Sequence, residues 1–230
     1  MTLKSLSAVL ATAALAALAS PAPAQDKTGA NVDPTGVGTR GAVSQLALAQ
    51  QLYALGLADK DALTVLTAAK LAGSVEIASV ERKKETKGDA AAEEADTSDA
   101  PVDAATMLAS ARTLAGEDET LIGLIEVAGA EGSRGRIGGA SSTLSRLPAG
   151  QSDVWEVPFF GNSLAEVAVL GDGDADLDVL VADENGNAIC VETGSSDTVY
   201  CDFVPSWNGY FHVTVTNTGN RRNSYDLVTN

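Results

Sequence analysis

The chain has 230 residues, a formal charge of −16, one histidine and two cysteines. So large an acidic excess excludes binding to nucleic acid or to anionic lipid through bulk charge, and so few His and Cys side chains leave little from which to build a zinc centre or an activated thiol. The length allows one large domain or two small ones.

The first stretch, MTLKSLSAVLATAALAALASPAPAQ, places Lys4 before an apolar run from Leu6 to Ala19 and ends in a small-x-small triplet at Ala22–Ala24. That is the pattern of a secretory leader, so residues 1–24 are expected to be a signal peptide cut after Ala24. No twin arginine precedes the apolar run, which points to the general secretory route. No later apolar stretch reaches membrane length, so no membrane insertion is expected. The expected location is the periplasm or the medium. In that oxidising setting the close pair Cys190 and Cys201 reads as a disulfide.

Residues 25–41 are rich in Gly, Thr and Asn and read as a flexible lead-in. Residues 42–81 read as a helical hairpin. Leu46, Ala49, Tyr53 and Leu57 recur at helical spacing. Asp59 or Asp61 caps the next helix, which carries Leu63, Leu66 and Ala69. Residues 82–101, RKKETKGDAAAEEADTSDAP, are basic, then acidic, and nearly free of large apolar side chains, which predicts a charged, disordered linker. Residues 102–132 read as a second helical hairpin. Asp103 caps a helix carrying Met107, Leu108, Ala111 and Leu114, and Asp118 caps one carrying Leu121, Leu124 and Ile125. DALTVLTAAK (61–70) and DAATMLASAR (103–112) match at several positions. The match fits either a duplicated hairpin or convergence of two Ala/Leu helices.

Beyond EGSRGRIGG the hydrophobic period changes to two. SDVWEVPFF, LAEVAVL, DLDVLVAD, NAICVET, DTVYCDF, GYFHVTVTN and SYDLVTN are separated by short Gly, Asn, Asp and Pro turns, the spacing of a β-sandwich. DENGN sets Asn185-Gly186 between two runs and predicts a hairpin. A second hairpin around Gly194–Asp197 would set Thr193 against Thr198, Val191 against Tyr200 and Cys190 against Cys201, at bridging distance on one face.

Three pieces, GDGDADLDVLVADENGN, WNGYFHVTVTN and the closing SYDLVTN, together with the leading LPAGQSDVWEVPF, resemble the bacterial pre-peptidase C-terminal domain. The resemblance covers residues 143–230 and implies a jelly-roll-like sandwich of the kind found behind the catalytic domains of secreted peptidases. No peptidase domain precedes it here. The expected fold class is therefore α+β in separate parts, an N-terminal small helical region and a C-terminal all-β sandwich.

Asp172, Asp174, Asp176 and Asp178 fall at every second position and are candidate metal ligands. Calcium takes six to eight hard oxygens, and collagen-binding relatives of the resembled domain bind calcium, so calcium is the cofactor the resemblance implies. An EF-hand loop from Asp172 would want Gly at Leu177 and Glu at Asp183 and fits poorly. The competing reading is a set of turn caps at a solubilised sheet edge. His212 alternates with Phe211 and Val213 and reads as an outward sheet residue. No G-x-S-x-G marks a nucleophile. Trp207 and Tyr210 are candidate ligand contacts, whereas Trp155 reads better as core. The sequence thus points to an exported, non-catalytic binding or accessory protein that docks on a protein or polymer. The alternatives are a partner of a separately encoded exported peptidase, as inhibitor, chaperone or tether, and a carboxylate-dependent hydrolase.

Overall fold

The computed structural model describes residues 27–91, 98, 100–131 and 137–230. The expected leader lies outside the described residues. The described residues form four helices, α1 (Ala42–Asp59), α2 (Ala62–Gly73), α3 (Ala104–Ala115) and α4 (Glu119–Glu131), and ten strands. The strands are β1 (Val75–Ser79), β2 (Lys84–Lys87), β3 (Ile137–Leu147), β4 (Ser152–Phe159), β5 (Ala165–Leu170), β6 (Leu177–Ala182), β7 (Ala188–Glu192), β8 (Thr198–Phe203), β9 (Gly209–Asn217) and β10 (Asn223–Thr229). They form two five-stranded sheets, one in the order β1-β3-β10-β5-β8 and the other β2-β4-β9-β6-β7.

The alternating residues of both sheets meet in one core. Trp155, Val157 and Phe159 of β4 and Phe211, Val213 and Val215 of β9 face Val167 and Val169 of β5 and Tyr225 and Leu227 of β10. Phe159, Phe203 and Phe211 form an aromatic cluster within it. Trp155 is buried, as its phase along β4 requires.

The helices lie outside the first sheet. Every residue of β5 is buried, because Ala168 and Leu170 on its outer side meet Val43, Leu46 and Ala47 of α1. A strand covered on both faces reads as a continuous apolar run, and AEVAVL is nearly one. Glu166, the polar exception in β5, is buried and supplies the missing N-cap of α1. Its carboxylate accepts from Gly41 N at 3.1 Å and Ser44 N at 3.3 Å, where the helix dipole favours an anion. Tyr200 Oη donates to the same carboxylate at 2.9 Å, and Arg40 pairs with Asp202 at 2.9 Å. Asp61, Asp103 and Asp118 accept from the backbone N–H groups of Leu63, Thr106 and Thr120 respectively, the caps that their spacing predicts. Gly56 lets α2 come close to α1, since a Cβ there would stand 2.7 Å from Val65 Cγ2.

The sandwich extends beyond the expected 143–230. Strand β3 begins at Ile137, and β1 runs parallel to it, so the helical hairpin expected over 42–81 ends in a strand. Strand β2 lies inside the expected linker and pairs antiparallel with β4. The physical reason is a buried carboxylate. Asp153 on the core side of β4 has no exposed surface. It takes Lys84 Nζ at 3.0 Å, Thr86 Oγ1 at 2.6 Å, Ser145 Oγ at 2.6 Å and Tyr225 Oη at 2.8 Å. A composition poor in apolar residues predicts disorder, but here the charged side chains of the segment are what the interior needs. Residues 92–97 and 99 of the same segment lie outside the described residues. Arg82 crosses the same edge, with its guanidinium donating to Thr143 Oγ1 at 2.6 Å and Thr229 Oγ1 at 3.0 Å.

The other edge is closed by the disulfide between Cys190 and Cys201, whose Cα atoms are 6.3 Å apart. The pairing is as expected, but the expected hairpin is not. Cys190 lies opposite Val181 in one sheet and Cys201 opposite Val167 in the other, so β7 and β8 are edge strands of different sheets and the bond spans the sandwich. Alternation assigns faces and cannot tell which neighbour a strand pairs with. The DENGN hairpin does form, between β6 and β7, with Gly186 at φ 83° and its N–H donating to Asp183 O at 3.0 Å.

Removing Asp153 leaves an ammonium and three hydroxyls without their acceptor. Asp153→Ala is expected to cost roughly 3 kcal/mol in urea-induced unfolding, the range for breaking a buried ion pair. Replacing both cysteines by serine is expected to cost about 3 kcal/mol, the chain-entropy value for a short cross-linked loop. Reducing and non-reducing melts of the parent protein check that value independently.

Candidate functional site

The structure uses the acidic turn from Gly171 to Asp178 as a set of caps. Asp172 Oδ2 accepts from Ser224 N at 2.7 Å and its Oδ1 from Asp174 N at 3.1 Å. Burial, with repulsion from Asp174, pushes the Asp172 carboxyl above its ordinary value despite these bonds. Asp174 accepts from Ser98 N at 2.8 Å, and Asp176 Oδ2 from Thr218 Oγ1 at 3.1 Å. Asp178 lies opposite Thr216 on β9, on the outer side of its sheet. Asp197, which stood outside the expected set, joins the turn by accepting from Gly173 N at 2.6 Å. Among the described residues no group of three or more His, Cys, Asp or Glu side chains is placed to hold a metal ion. The bonded oxygens of Asp172, Asp174 and Asp176 point at amides and a hydroxyl of several elements rather than at one centre, while Asp176 Oδ1 is buried with no hydrogen-bond partner among the described residues.

Chemical groups also meet at Asp153. Ser145 Oγ lies 2.7 Å from Lys84 Nζ, the pairing of a serine nucleophile with a lysine base. Here, however, the ammonium is ion-paired with Asp153, and an ammonium so engaged has no lone pair to accept a proton. Ser145 is buried and gives its own proton to Asp153. Burial and the nearby Asp153 hold the Tyr225 hydroxyl well above its ordinary value, so it stays a donor. The cluster ties four strands together. His212 faces outward opposite Glu156, as its phase predicts.

The strongest candidate for a ligand site lies at one end of the uncovered sheet. Pro158, Phe160 and Tyr210 stand on its outer side, where Pro158 is opposite Tyr210. Phe160 is 76% exposed and Tyr210 56%. They flank a groove of about 440 Å³ that Lys27, Glu184, Asn208 and Gly209 complete, within the usual size range of small-ligand sites. Glu184 comes from the β6–β7 turn and Asn208 from the chain entering β9.

Several bonds fix this end of the molecule. Trp207 Nε1 donates to Glu184 Oε1 at 2.6 Å and Asn31 Nδ2 to Glu184 Oε2 at 3.2 Å. Burial opposes ionisation of Glu184, but the bonds from Trp207 and Asn31 outweigh it and hold the carboxyl below its ordinary value. Asn31 also takes Trp207 N at 3.0 Å on its side-chain oxygen, while its own N–H donates to Asp183 Oδ2 at 2.7 Å. The lead-in expected to be loose is therefore docked, with Asn31 fully buried. Of the two expected contacts, Tyr210 is exposed at the groove. Trp207 is buried and serves instead to orient Glu184.

Phe160 and Glu184 are absent from the residues the sequence singles out. Phe160 carries a legible signal. Trp155, Val157 and Phe159 set the inward phase of β4, so a second aromatic at the next position points outward. Glu184 carries none, since acidic residues are common in hairpin turns.

The chain matches no known protein family and no curated protein. Among solved structures it is similar to the pre-peptidase C-terminal domain of a collagenase from Bacillus anthracis, at 16% identity and a TM-score of 0.33, over 38% of this chain and 86% of that one. It is also similar to a periplasmic inhibitor of g-type lysozyme from Aeromonas hydrophila, at 11% identity and a TM-score of 0.29, over 39% of this chain and 83% of that one. Likeness at this level says nothing about ligand or activity. The first neighbour is of the kind the C-terminal sequence resembles, and the resemblance stays a resemblance.

If the acidic turn is held by its own amides, millimolar calcium and a chelator are expected to give the same thermal midpoint. A rise with calcium that vanishes in Asp174→Asn and Asp176→Asn would make the turn a cation site instead.

Proposed function

We propose that the protein is an exported, non-catalytic binding module. One face of its sandwich carries the helical layer and the opposite face meets a protein or polymer ligand. The observation that carries this reading is the asymmetry of the two sheets. The outer side of the first is covered by α1, while among the described residues that of the second is open and presents Phe160 and Tyr210 beside the groove. Exposed aromatic side chains gathered at one place mark an interaction site more often than scattered ones do. The disulfide supports export into an oxidising compartment. No described helix is long and apolar enough to cross a membrane.

A second reading places the contact on the helices, as expected of a partner for an exported peptidase. It is favoured by Leu48 and Leu55 of α1, Leu63 of α2 and Leu124 of α4, all exposed.

Site-specific photo-crosslinking in the exporting cells separates the two. With the crosslinker at Tyr210 a discrete adduct is expected that Phe160→Ala diminishes. Adducts formed only from Leu63 or Leu124 would overturn the open-face reading in favour of the helices.

A further inference from the structure

We propose that the groove beside Phe160 and Tyr210 takes a pyranose unit of a neutral polysaccharide, an assignment that rests on the open-face reading above. The balance of polar groups around the groove carries it. Lys27 brings an ammonium, whose Nζ also donates to Asn208 O at 3.3 Å. Glu184 brings a carboxylate that is oriented from behind by Trp207 and Asn31. A carboxylate has about four acceptor sites, so acceptors remain for a ligand. Asn208 Oδ1 already accepts from Gly161 N at 2.8 Å, which leaves its amide nitrogen as the group with donors to offer.

Each simpler ligand class conflicts with one of these groups. A cationic side chain stacked on the two rings would gain from their π faces but would stand beside Lys27. An anion would stand beside Glu184. A purely apolar segment would cover both charges without giving either a partner, which costs more than the ring contacts return. A neutral sugar meets all of them. Its hydroxyls both donate and accept, which suits a carboxylate, an ammonium and an amide at once. The axial C–H faces of a pyranose are apolar and match the faces of exposed rings. The groove opens on an uncovered sheet face, so the unit can belong to a chain that continues in both directions.

The probes are cellohexaose, maltohexaose and chitohexaose, titrated calorimetrically into the full mature protein, with oligolysine and dextran sulfate as charged comparisons. At least one neutral hexasaccharide is expected to bind, with affinity little changed by added salt because no charge is neutralised. Phe160→Ala and Tyr210→Ala are each expected to weaken it by about tenfold or more without moving the thermal midpoint, since both rings are largely exposed. Glu184→Gln is expected to weaken it as well. Equal binding by the parent and both ring variants would overturn the assignment, as would preference for either charged polymer. Failure of all three sugars while the Tyr210 crosslink persists would overturn the sugar and leave the open-face reading standing. Failure of both would remove the two together.

Discussion

A carboxylate with no exposed surface at Asp153 dictates the order of the chain around it. Buried between two sheets, such a group is tolerable only with a cation and a full set of donors. Lys84, Thr86, Ser145 and Tyr225 provide them from three other strands. Two of these come from β2, a strand whose four residues are all exposed and which has no apolar anchor of its own. Trp155 completes the arrangement. Its Nε1 donates to Tyr225 Oη at 2.7 Å, and the Lys84 ammonium lies 5.3 Å from its ring centroid. Polar networks of this kind specify a single arrangement because a slipped register would strand several members at once.

Fixing β2 in one sheet also fixes what precedes it. Strand β1 belongs to the other sheet, so residues 80–83 cross the open edge of the sandwich, and Arg82 ties that crossing to Ser141, Thr143 and Thr229. At the far edge the disulfide does the corresponding work between β7 and β8. The sandwich is thus closed by charge and hydroxyls on one side and by a covalent bond on the other. The helical layer is docked on the first sheet through α1, whose N-terminus Glu166 holds. With α1 occupying that face, the face of the second sheet is the one left open.

Seven strands of the C-terminal half are legible in the sequence, most of them because one face meets the core and the other is largely polar, so period two survives, and β5 because a strand buried on both faces is a short apolar run between turns. The helix caps at Asp61, Asp103 and Asp118 are legible because a short carboxylate at a helix start has a local partner. Non-local pairing is not legible. Residues 190–201 look like a hairpin because the two runs are close in sequence, yet β5, buried along its whole length, takes β8 as its outer neighbour. β2 is invisible for the opposite reason. Its stabilising partner lies at Asp153, far along the chain, and composition reports only that the segment cannot bury apolar surface. The acidic run shows the same limit. Regular spacing of Asp172, Asp174 and Asp176 suggests a common centre, but each takes a partner from a different part of the chain, Ser224, Ser98 and Thr218 respectively.

The open end of the second sheet depends on non-local contacts too. Asn31, in a stretch that composition marks as loose, bonds Asp183, Glu184 and Trp207 together. Gly209 is the residue that permits this closeness. A Cβ there would stand 2.6 Å from Asn31 Nδ2 and 2.8 Å from Glu184 Oε2. Trp207 is the larger aromatic and the more obvious candidate for a ligand, but its ring is spent on packing and its N–H on Glu184. The exposed contact falls to Phe160 and Tyr210, whose neighbours leave their rings open. In a groove built this way the rings can vary without disturbing the frame, whereas the residues behind them cannot. That division is what a site needs when its walls are fixed by folding and its face is left for recognition.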